Sequence, residues 1–178
     1  MGNATDTPTP DTDPVEVLTD VLDVSAANGA GGRPDSPAPI RHLAVITCMD
    51  ARIDALGDLR LAFGDAHIIR VAGARIGEDV IRSLHLSTAM LGTRACLVLG
   101  HTDCGLEDAD GTLADRLREL DPMRDDWGHF TDVDDAVRHD VDRLLAWPGR
   151  PEPWAVAGAV IDVSDGSVRP VVAPTTAG

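Results

Sequence analysis

From His42 onward, short apolar runs alternate with helical patterns, and this alternation constrains the fold more than any other feature of the chain. Each run is apolar or β-branched enough to be buried on both faces, as strands of a parallel sheet are. The runs are Leu43–Thr47, His67–Val71, Ala95–Gly100 and Trp154–Val163. Strands that alternate with helices are typical of βα units. The sequence therefore predicts an α/β fold in which helices flank a mainly parallel sheet of four strands.

A fifth strand and three helices complete the predicted domain. The turn sequence Ser164-Asp165-Gly166 predicts a hairpin into Val168–Val172, which adds an antiparallel edge strand. Apolar residues at helical spacing predict the helices Glu78–Leu91, Leu113–Leu120 and Val133–Leu145. We expect Asp121–Asp132, between the last two helices, to be irregular.

The first forty residues have a different composition from the rest. Clusters of Thr, Pro, Asp and Gly at Thr5–Pro14 and Asn28–Pro39 flank one short helical pattern at Val15–Ala27. We predict that residues 1–40 form a flexible arm with one short helix and that residues 41–178 form the folded domain. Docking of the arm on a neighbouring subunit and a disordered tail both remain open.

Charge excludes several classes of partner. The formal net charge of −15 repels phosphate backbones and anionic membrane surfaces, so we expect no nucleic-acid or membrane partner. No apolar run approaches the roughly 20 residues of a membrane span. Met1–Asp13 lacks the basic start and apolar stretch of a secretory signal, so we expect a cytoplasmic protein that acts on a small molecule.

Two cysteines and one histidine follow directly on predicted strands. Cys48 comes after the first strand, and His101 and Cys104 come after the third. Carboxyl ends of parallel strands line the crevice where ligands bind, so these side chains can face one site. Two thiolates and an imidazole suit Zn²⁺ and leave a fourth position open for water or substrate. Cys96 lies inside the third strand and is expected to be a small buried hydrophobe.

Asp50 and Arg52 stand beside the first of these ligands. Asp50 is two residues from Cys48, close enough for its carboxylate to reach a metal, and Arg52 can offer that carboxylate a bidentate pair of donors. Asp50 bound to zinc closes the site, whereas Asp50 held away by Arg52 lets water enter. An ordinary Asp and Arg at a helix start is the alternative interpretation.

The chain resembles the β-class carbonic anhydrases, which carry Cys-x-Asp-x-Arg after the first strand and His-x-x-Cys after the third. The resemblance runs from about Leu43 to Val172. The motif sequences Met-Asp-Ala-Arg and His-Thr-Asp-Cys-Gly resemble those of the compact bacterial and archaeal branch. Further motifs in the family's order are Ile69-Arg70-Val71-Ala72-Gly73, Asp79-Val80-Ile81-Arg82-Ser83-Leu84 and Leu91-Gly92-Thr93-Arg94.

The resemblance implies a zinc enzyme that hydrates carbon dioxide reversibly to bicarbonate and a proton by means of a zinc-bound hydroxide. Cys48, His101 and Cys104, with Asp50 as an exchangeable ligand, are the implied metal residues; Asp50 and Arg52 are the implied catalytic residues. It also implies a homodimer or a dimer of dimers. Two alternatives stay open: a carbonyl sulfide or carbon disulfide hydrolase, and a zinc-binding module without turnover.

One position departs from the family's usual Arg-Asn-Ala-Gly. Val71 replaces the amide with a β-branched apolar side chain, and loss of a hydrogen-bonding group near the pocket would change its polarity. This departure favours the sulfur-substrate alternative. Gly73 and Gly105 are expected to allow tight backbone turns beside the site.

Overall fold

The computed structural model describes residues 15, 18–19, 21–22, 33–124 and 126–176. The chain divides into two units, Met1–Arg33 and Pro34–Gly178, and the fold below is that of the second unit. The described residues of the predicted helix Val15–Ala27 are helical, and its other residues lie outside the described part. Among the described residues, no helix is long and apolar enough to cross a membrane.

Five strands form one sheet, in the order β2-β1-β3-β4-β5. The strands are β1 (Leu43–Cys48), β2 (Ala66–Val71), β3 (Ala95–His101), β4 (Ala155–Ile161) and β5 (Val168–Thr176). The pairs β1–β2, β1–β3 and β3–β4 are parallel, and β4–β5 is antiparallel. The predicted α/β fold, with four parallel strands and an antiparallel edge strand, is confirmed.

Both faces of the central strands are buried, as the apolar runs predict. On β1, Ala44 and Ile46 pack into one core cluster, whereas Val45 packs into a second. On β3, Val98 and Leu99 divide between the clusters in the same way. This alternation follows from the two-residue period of a strand, and it explains why no polar face interrupts the runs.

In the described part of the second unit, four helices and a short 3₁₀ turn connect the strands. The helices are α1 (Ala55–Asp58), α2 (Glu78–Ala89), α3 (Thr112–Leu120) and α4 (Val133–Leu145), and the 3₁₀ turn is Ala72–Ala74. Helices α2 and α4 bury their apolar stripes, including Leu84 and Val141, in the first core cluster. The Asp132 carboxylate caps α4 by accepting a hydrogen bond from the backbone N–H of Asp135.

Element ends differ from the predictions by a few residues. Helix α2 ends at Ala89 rather than Leu91, three residues before Gly92, which takes a left-handed conformation (φ 74°). Strand β5 continues to Thr176, beyond the predicted Val172, because its backbone goes on pairing with β4. Helix α1 was not predicted, since four residues are too few to show helical periodicity.

Two glycines let α4 pack closely on the sheet. A Cβ atom at Gly158 of β4 would lie 2.5 Å from Val137 Cγ1 and 3.1 Å from Val141 Cγ2. A Cβ atom at Gly100 of β3 would lie 2.8 Å from Val137 Cγ2. These distances are too short for carbon atoms in contact, so the helix–sheet spacing depends on the missing side chains.

We expect Gly158→Ala to lower the free energy of unfolding by about 1–3 kcal/mol, because the added methyl group overpacks the contact with α4. Gly105→Ala is the matched control, since an added Cβ there meets nothing within 4 Å. Urea denaturation of both variants measures the effect. Equal stability of the two variants would contradict the close packing of α4.

An ion pair joins α4 to the edge strand. Both guanidinium nitrogens of Arg169 on β5 donate to the Asp134 carboxylate, with 2.9 Å between Nη1 and Oδ2. Hydrogen bonds from Arg169 lower the pKa of Asp134. The folded-state pKa therefore lies below the unfolded value, so the ionised pair stabilises the fold above the unfolded pKa and this contribution is lost as the pH falls.

We expect Asp134→Asn to be less stable than the wild-type chain by about 0.5–1 kcal/mol at neutral pH, as for a partly exposed pair. The difference should shrink as the pH falls below about 3.9, the usual pKa of an unfolded Asp. Denaturation curves across this pH range measure it. Asp135→Asn, whose carboxylate pairs with Arg138 within α4, is the control. A deficit unchanged at acidic pH would rule out ionisation of Asp134 as its source.

Candidate metal centre

The sheet brings the two predicted metal motifs to one edge. Strands β1 and β3 are parallel neighbours, paired from Leu43 with Ala95 to Thr47 with Leu99. The hydroxyl of Thr47 also donates to the Leu99 carbonyl across this pair (3.1 Å). The chain passes from β1 to β2 on one side and returns to β3 on the other, which places the site at a topological switch point.

Three predicted ligands meet at this edge. One ligand atom each from Cys48, His101 and Cys104 forms a group in which all atoms lie within 4.8 Å of one another. All three residues are buried. Sulfur and nitrogen ligands around a tetrahedral zinc ion lie at comparable separations, so the set has the size and the chemistry of a zinc site.

The imidazole of His101 is oriented for metal binding. Its Nδ1 lies 2.9 Å from the carbonyl oxygen of Thr102. A carbonyl only accepts, so Nδ1 carries the proton and Nε2 keeps a free lone pair. Nε2 is buried, and among the described residues it has no hydrogen-bond partner. A buried unpaired nitrogen is costly, and a metal ion is a partner that would satisfy it.

The two thiols and the imidazole influence one another's ionisation. The adjacent side chain of Cys104, and to a smaller extent that of His101 and nearby backbone N–H groups, lower the pKa of Cys48 to about 3 in spite of its burial. The pKa of Cys104 is raised, because its thiol is hydrogen-bonded to Cys48 and buried. Burial opposes ionisation of His101, but the adjacent Cys48 raises its pKa overall. A divalent cation bound between the two sulfurs would favour the thiolate form of both.

Arg52 donates hydrogen bonds to both oxygens of the Asp50 carboxylate. Its Nε lies 3.0 Å from Oδ1 and its Nη2 lies 2.8 Å from Oδ2, and its backbone N–H also donates to Oδ1 (2.9 Å). These bonds hold the pKa of Asp50 well below its usual range and raise that of Arg52. The predicted pair therefore forms, with Asp50 ionised. Its role as an exchangeable metal ligand stays a prediction.

Arg70 and Asp103 also act at this edge, and sequence reasoning assigned neither a role. The guanidinium of Arg70 donates to the carbonyls of Cys48 (3.1 Å), Asp50 and Ile53 (3.2 Å), and so fixes the loop after β1. Asp103 accepts a hydrogen bond from Arg52. The available signals were the arginine at the end of β2 and the acid between two ligands. Their partners are brought near by the tertiary structure of the loops, which these signals do not reveal.

A cavity of about 220 Å³ opens beside the cysteines. It is lined by Cys48, Met49, Asp50, Ala72, Gly73, Cys104, Gly105 and Leu106. Its wall is thus mainly backbone and small or apolar side chains. Such a space accepts a small apolar molecule more readily than a charged one.

Gly73 and Gly105 differ in what they require. Gly73 has φ +63°, and a Cβ atom there would lie 3.0 Å from Leu106 Cδ1; its N–H points to Cys48 Sγ at 3.2 Å. The turn at Gly73 therefore needs glycine. The expected turn at Gly105 is present beside the site, closed by a hydrogen bond from the Glu107 N–H to the Cys104 carbonyl (2.9 Å), but Gly105 has no positive φ and an added Cβ meets nothing within 4 Å, so this turn does not require glycine.

Two other predicted positions lie away from the ligand atoms. Cys96 is buried in the first core cluster, where burial raises the pKa of its thiol, and it is not part of the ligand group. Val71 packs against the same cluster and does not line the cavity. Replacement of an amide by valine therefore affects packing behind the site more directly than the polarity of the cavity wall.

Comparisons with known proteins agree with this geometry. The family described as carbonic anhydrase matches residues 43–144. β-Carbonic anhydrase 1 of Mycobacterium tuberculosis is 36% identical over 151 residues, which cover 83% of this chain and 92% of that protein. A carbon disulfide hydrolase of Acidithiobacillus thiooxidans is 32% identical over 154 residues, covering 73% and 77%.

A solved structure is similar over nearly the whole fold. The crystal structure of a carbonic anhydrase from Streptococcus mutans is 37% identical, has a TM-score of 0.75, and covers 88% of this chain and 96% of its own. The family match spans more than half of the chain, and both the sheet and the metal residues lie where the motifs predict. The chain belongs to the β-class carbonic anhydrase family of enzymes.

Proposed function

We propose that the chain catalyses the reversible hydration of carbon dioxide to bicarbonate and a proton, with a zinc ion held by Cys48, His101 and Cys104. The observation that carries this proposal is the group of three buried ligand atoms within 4.8 Å beside a small, mainly apolar cavity. A zinc ion bound there would act as a Lewis acid and make water a nucleophile near neutral pH.

Asp50 and Arg52 orient the reacting water in this proposal. The Asp50 carboxylate stays ionised because hydrogen bonds from Arg52 lower its pKa, so it accepts a hydrogen bond from the water. Acceptance of that bond directs a lone pair of the water oxygen towards the carbon of the substrate. Arg52 keeps Asp50 in this acceptor position and away from the metal. Asp50 lines the same cavity as Cys48 and Cys104, so on release from Arg52 it would be the candidate for the fourth ligand.

The cavity favours a small neutral substrate. Ala72, Gly73 and Leu106 offer no charge to a bound molecule, and Asp50 is already paired with Arg52. Carbon dioxide enters such a space with little loss of hydration, whereas bicarbonate, which is charged, leaves it for water. This asymmetry supports turnover rather than retention of the product.

Carbon disulfide or carbonyl sulfide hydrolysis is the second candidate. It is favoured by the 32% identity to a carbon disulfide hydrolase. Two observations favour carbon dioxide. Over most of the chain, identity to the carbonic anhydrase of Mycobacterium tuberculosis (36% over 83% of the chain) exceeds that to the carbon disulfide hydrolase of Acidithiobacillus thiooxidans (32% over 73%), although a carbon disulfide hydrolase of Acidianus reaches 46% over a segment of 66 residues. Val71, the position that departs from the family's usual motif, packs into the core rather than lining the cavity.

A zinc-binding module without turnover is the third candidate. A purely structural zinc site closes all four positions with protein ligands, whereas this group provides three. The bidentate pairing of Asp50 with Arg52 beside it has no use in a structural site. Both features support an enzyme.

The remaining proposals concern location and assembly. We propose a cytoplasmic homodimer or dimer of dimers in which residues 1–40 form an arm and residues 41–178 the catalytic domain. In this proposal Met49, whose apolar side chain is exposed (67%) and lines the cavity, lies at the contact with the second copy.

We expect Cys104→Ser to lose most of its zinc and its activity, because a neutral hydroxyl replaces a thiolate ligand. Cys96→Ser should keep zinc near one ion per chain, since Cys96 lies outside the ligand group. Metal analysis after dialysis against a weak chelator measures both variants. Zinc retained in Cys104→Ser, or lost from Cys96→Ser alone, would show that the ligands are assigned wrongly.

We expect wild-type protein to hydrate carbon dioxide with a higher kcat/KM than it shows for carbon disulfide, as measured by stopped flow and sulfide release. Asp50→Ala should keep its zinc and lose about a hundredfold in kcat, the usual size of an effect on proton-accepting and orienting groups. Asp79→Asn, an exposed acid on α2, is the control. Faster turnover of carbon disulfide would favour the second candidate, and a zinc-loaded chain inert on both would favour the third.

A further inference from the structure

Asp103 lies between two of the metal ligands, in a backbone conformation that few residues adopt. It lies two residues after His101 and directly before Cys104, and its φ is +54°. This left-handed region is uncommon for residues other than glycine, although Asp and Asn tolerate it better than most. Its side chain is largely exposed (80%), so packing does not account for the conformation.

Within the described part of the chain, the hydrogen bonds that Asp103 accepts come from Arg52. Its carboxylate accepts from Nη1 at 2.7 Å, and its backbone carbonyl accepts from Nη2 at 3.0 Å. The guanidinium of Arg52 is therefore bound on one edge by Asp103 and on the other by Asp50. The left-handed turn at Asp103 presents both its carboxylate and its carbonyl to the same guanidinium.

Arg52 needs this second anchor because it is open to solvent. Its side chain is 44% exposed, and an arginine in that setting moves among many rotamers unless it is held. Asp50 alone holds only one edge of the guanidinium. Asp103 restricts the motion of the guanidinium, and it does so from the loop that carries the other two ligands.

We propose that Asp103 is a positioning residue that holds Arg52 against Asp50 and so keeps Asp50 from binding the metal; this rests on the proposed function of the site. Loss of the Asp103 carboxylate then frees Arg52 more often, and Asp50 spends more time as the fourth ligand. Two effects follow. Turnover falls because the open position is occupied, and zinc is released more slowly because it has gained a carboxylate ligand.

A merely structural role for Asp103 makes the opposite prediction for the metal. If Asp103 only held the two ligand loops together, its loss would loosen the site, and zinc would leave faster. The rate of zinc release to a chelator therefore distinguishes the two roles by its direction. It is also independent of any activity measurement.

Two substitutions separate the carboxylate from the backbone. Asp103→Gly keeps the left-handed backbone and the carbonyl acceptor but removes the carboxylate. Asp103→Asn keeps one acceptor oxygen for Arg52 without the charge and also tolerates the backbone conformation. Asp115→Asn is the matched control, because Asp115 is similarly exposed (77%) and pairs with Arg118 at 2.6 Å in α3, outside the ligand group.

For Asp103→Gly we expect kcat for carbon dioxide to fall about three- to tenfold and zinc release to slow about two- to fivefold, in keeping with the modest strength of an exposed ion pair. Asp103→Asn should lie between this variant and wild type, and Asp115→Asn should match wild type. In an Asp50→Ala background, Asp103→Gly should no longer change zinc release, because the carboxylate that would bind the metal is absent.

Three outcomes would overturn the proposal: faster zinc release in Asp103→Gly, zinc release and kcat equal to wild type, or an undiminished effect on zinc release in the Asp50→Ala background. Failure of the proposed function has a different signature. Wild type would then bind zinc but not hydrate carbon dioxide, and the comparison of zinc release between variants would still test the role of Asp103.

Discussion

Parallel pairing of β1 with β3 is the constraint on which the site depends. The pairing brings the carboxyl ends of two distant segments to one edge, so Cys48 meets His101 and Cys104. Burial then leaves the Nε2 of His101 without a partner among the described residues and places two thiols close to each other in the interior. The fold thus creates a set of groups whose unfavourable burial a divalent cation would relieve.

The charges around this set would balance with a divalent cation bound. Two thiolates and the Asp50 carboxylate would carry three negative charges, and the cation with Arg52 would carry three positive ones. Asp103 adds one negative charge and Arg70 one positive charge, so these two surrounding residues leave the net charge of the set unchanged. The chain as a whole has a net charge of −15, and these two arginines offset the negative charge next to the site.

The sequence predicts the strands and ligands well because both depend on local patterns. Apolar runs reveal buried strands wherever they pair, and a ligand placed just after a strand lies at its carboxyl end in any parallel sheet. Partners reached by long side chains are different. Arg70 is 17 to 22 residues from the carbonyls that it binds, and Asp103 is 51 residues from Arg52. Their roles depend on loop geometry, which periodicity does not encode. Helix α1 was missed because it has only four residues.

Val71 shows how a motif departure changes meaning once the fold is known. Beside Arg70 in the sequence, it is expected to alter the polarity of the pocket. Its side chain instead packs against the core cluster behind β1, and the cavity wall is formed by the turn that follows, at Ala72 and Gly73. A Cβ atom at Gly73 would lie 3.0 Å from Leu106 Cδ1 and 3.3 Å from Arg75 Cγ, and its φ of +63° disfavours any other residue. The wall beside the ligand group is therefore formed by this turn and Leu106 rather than by Val71.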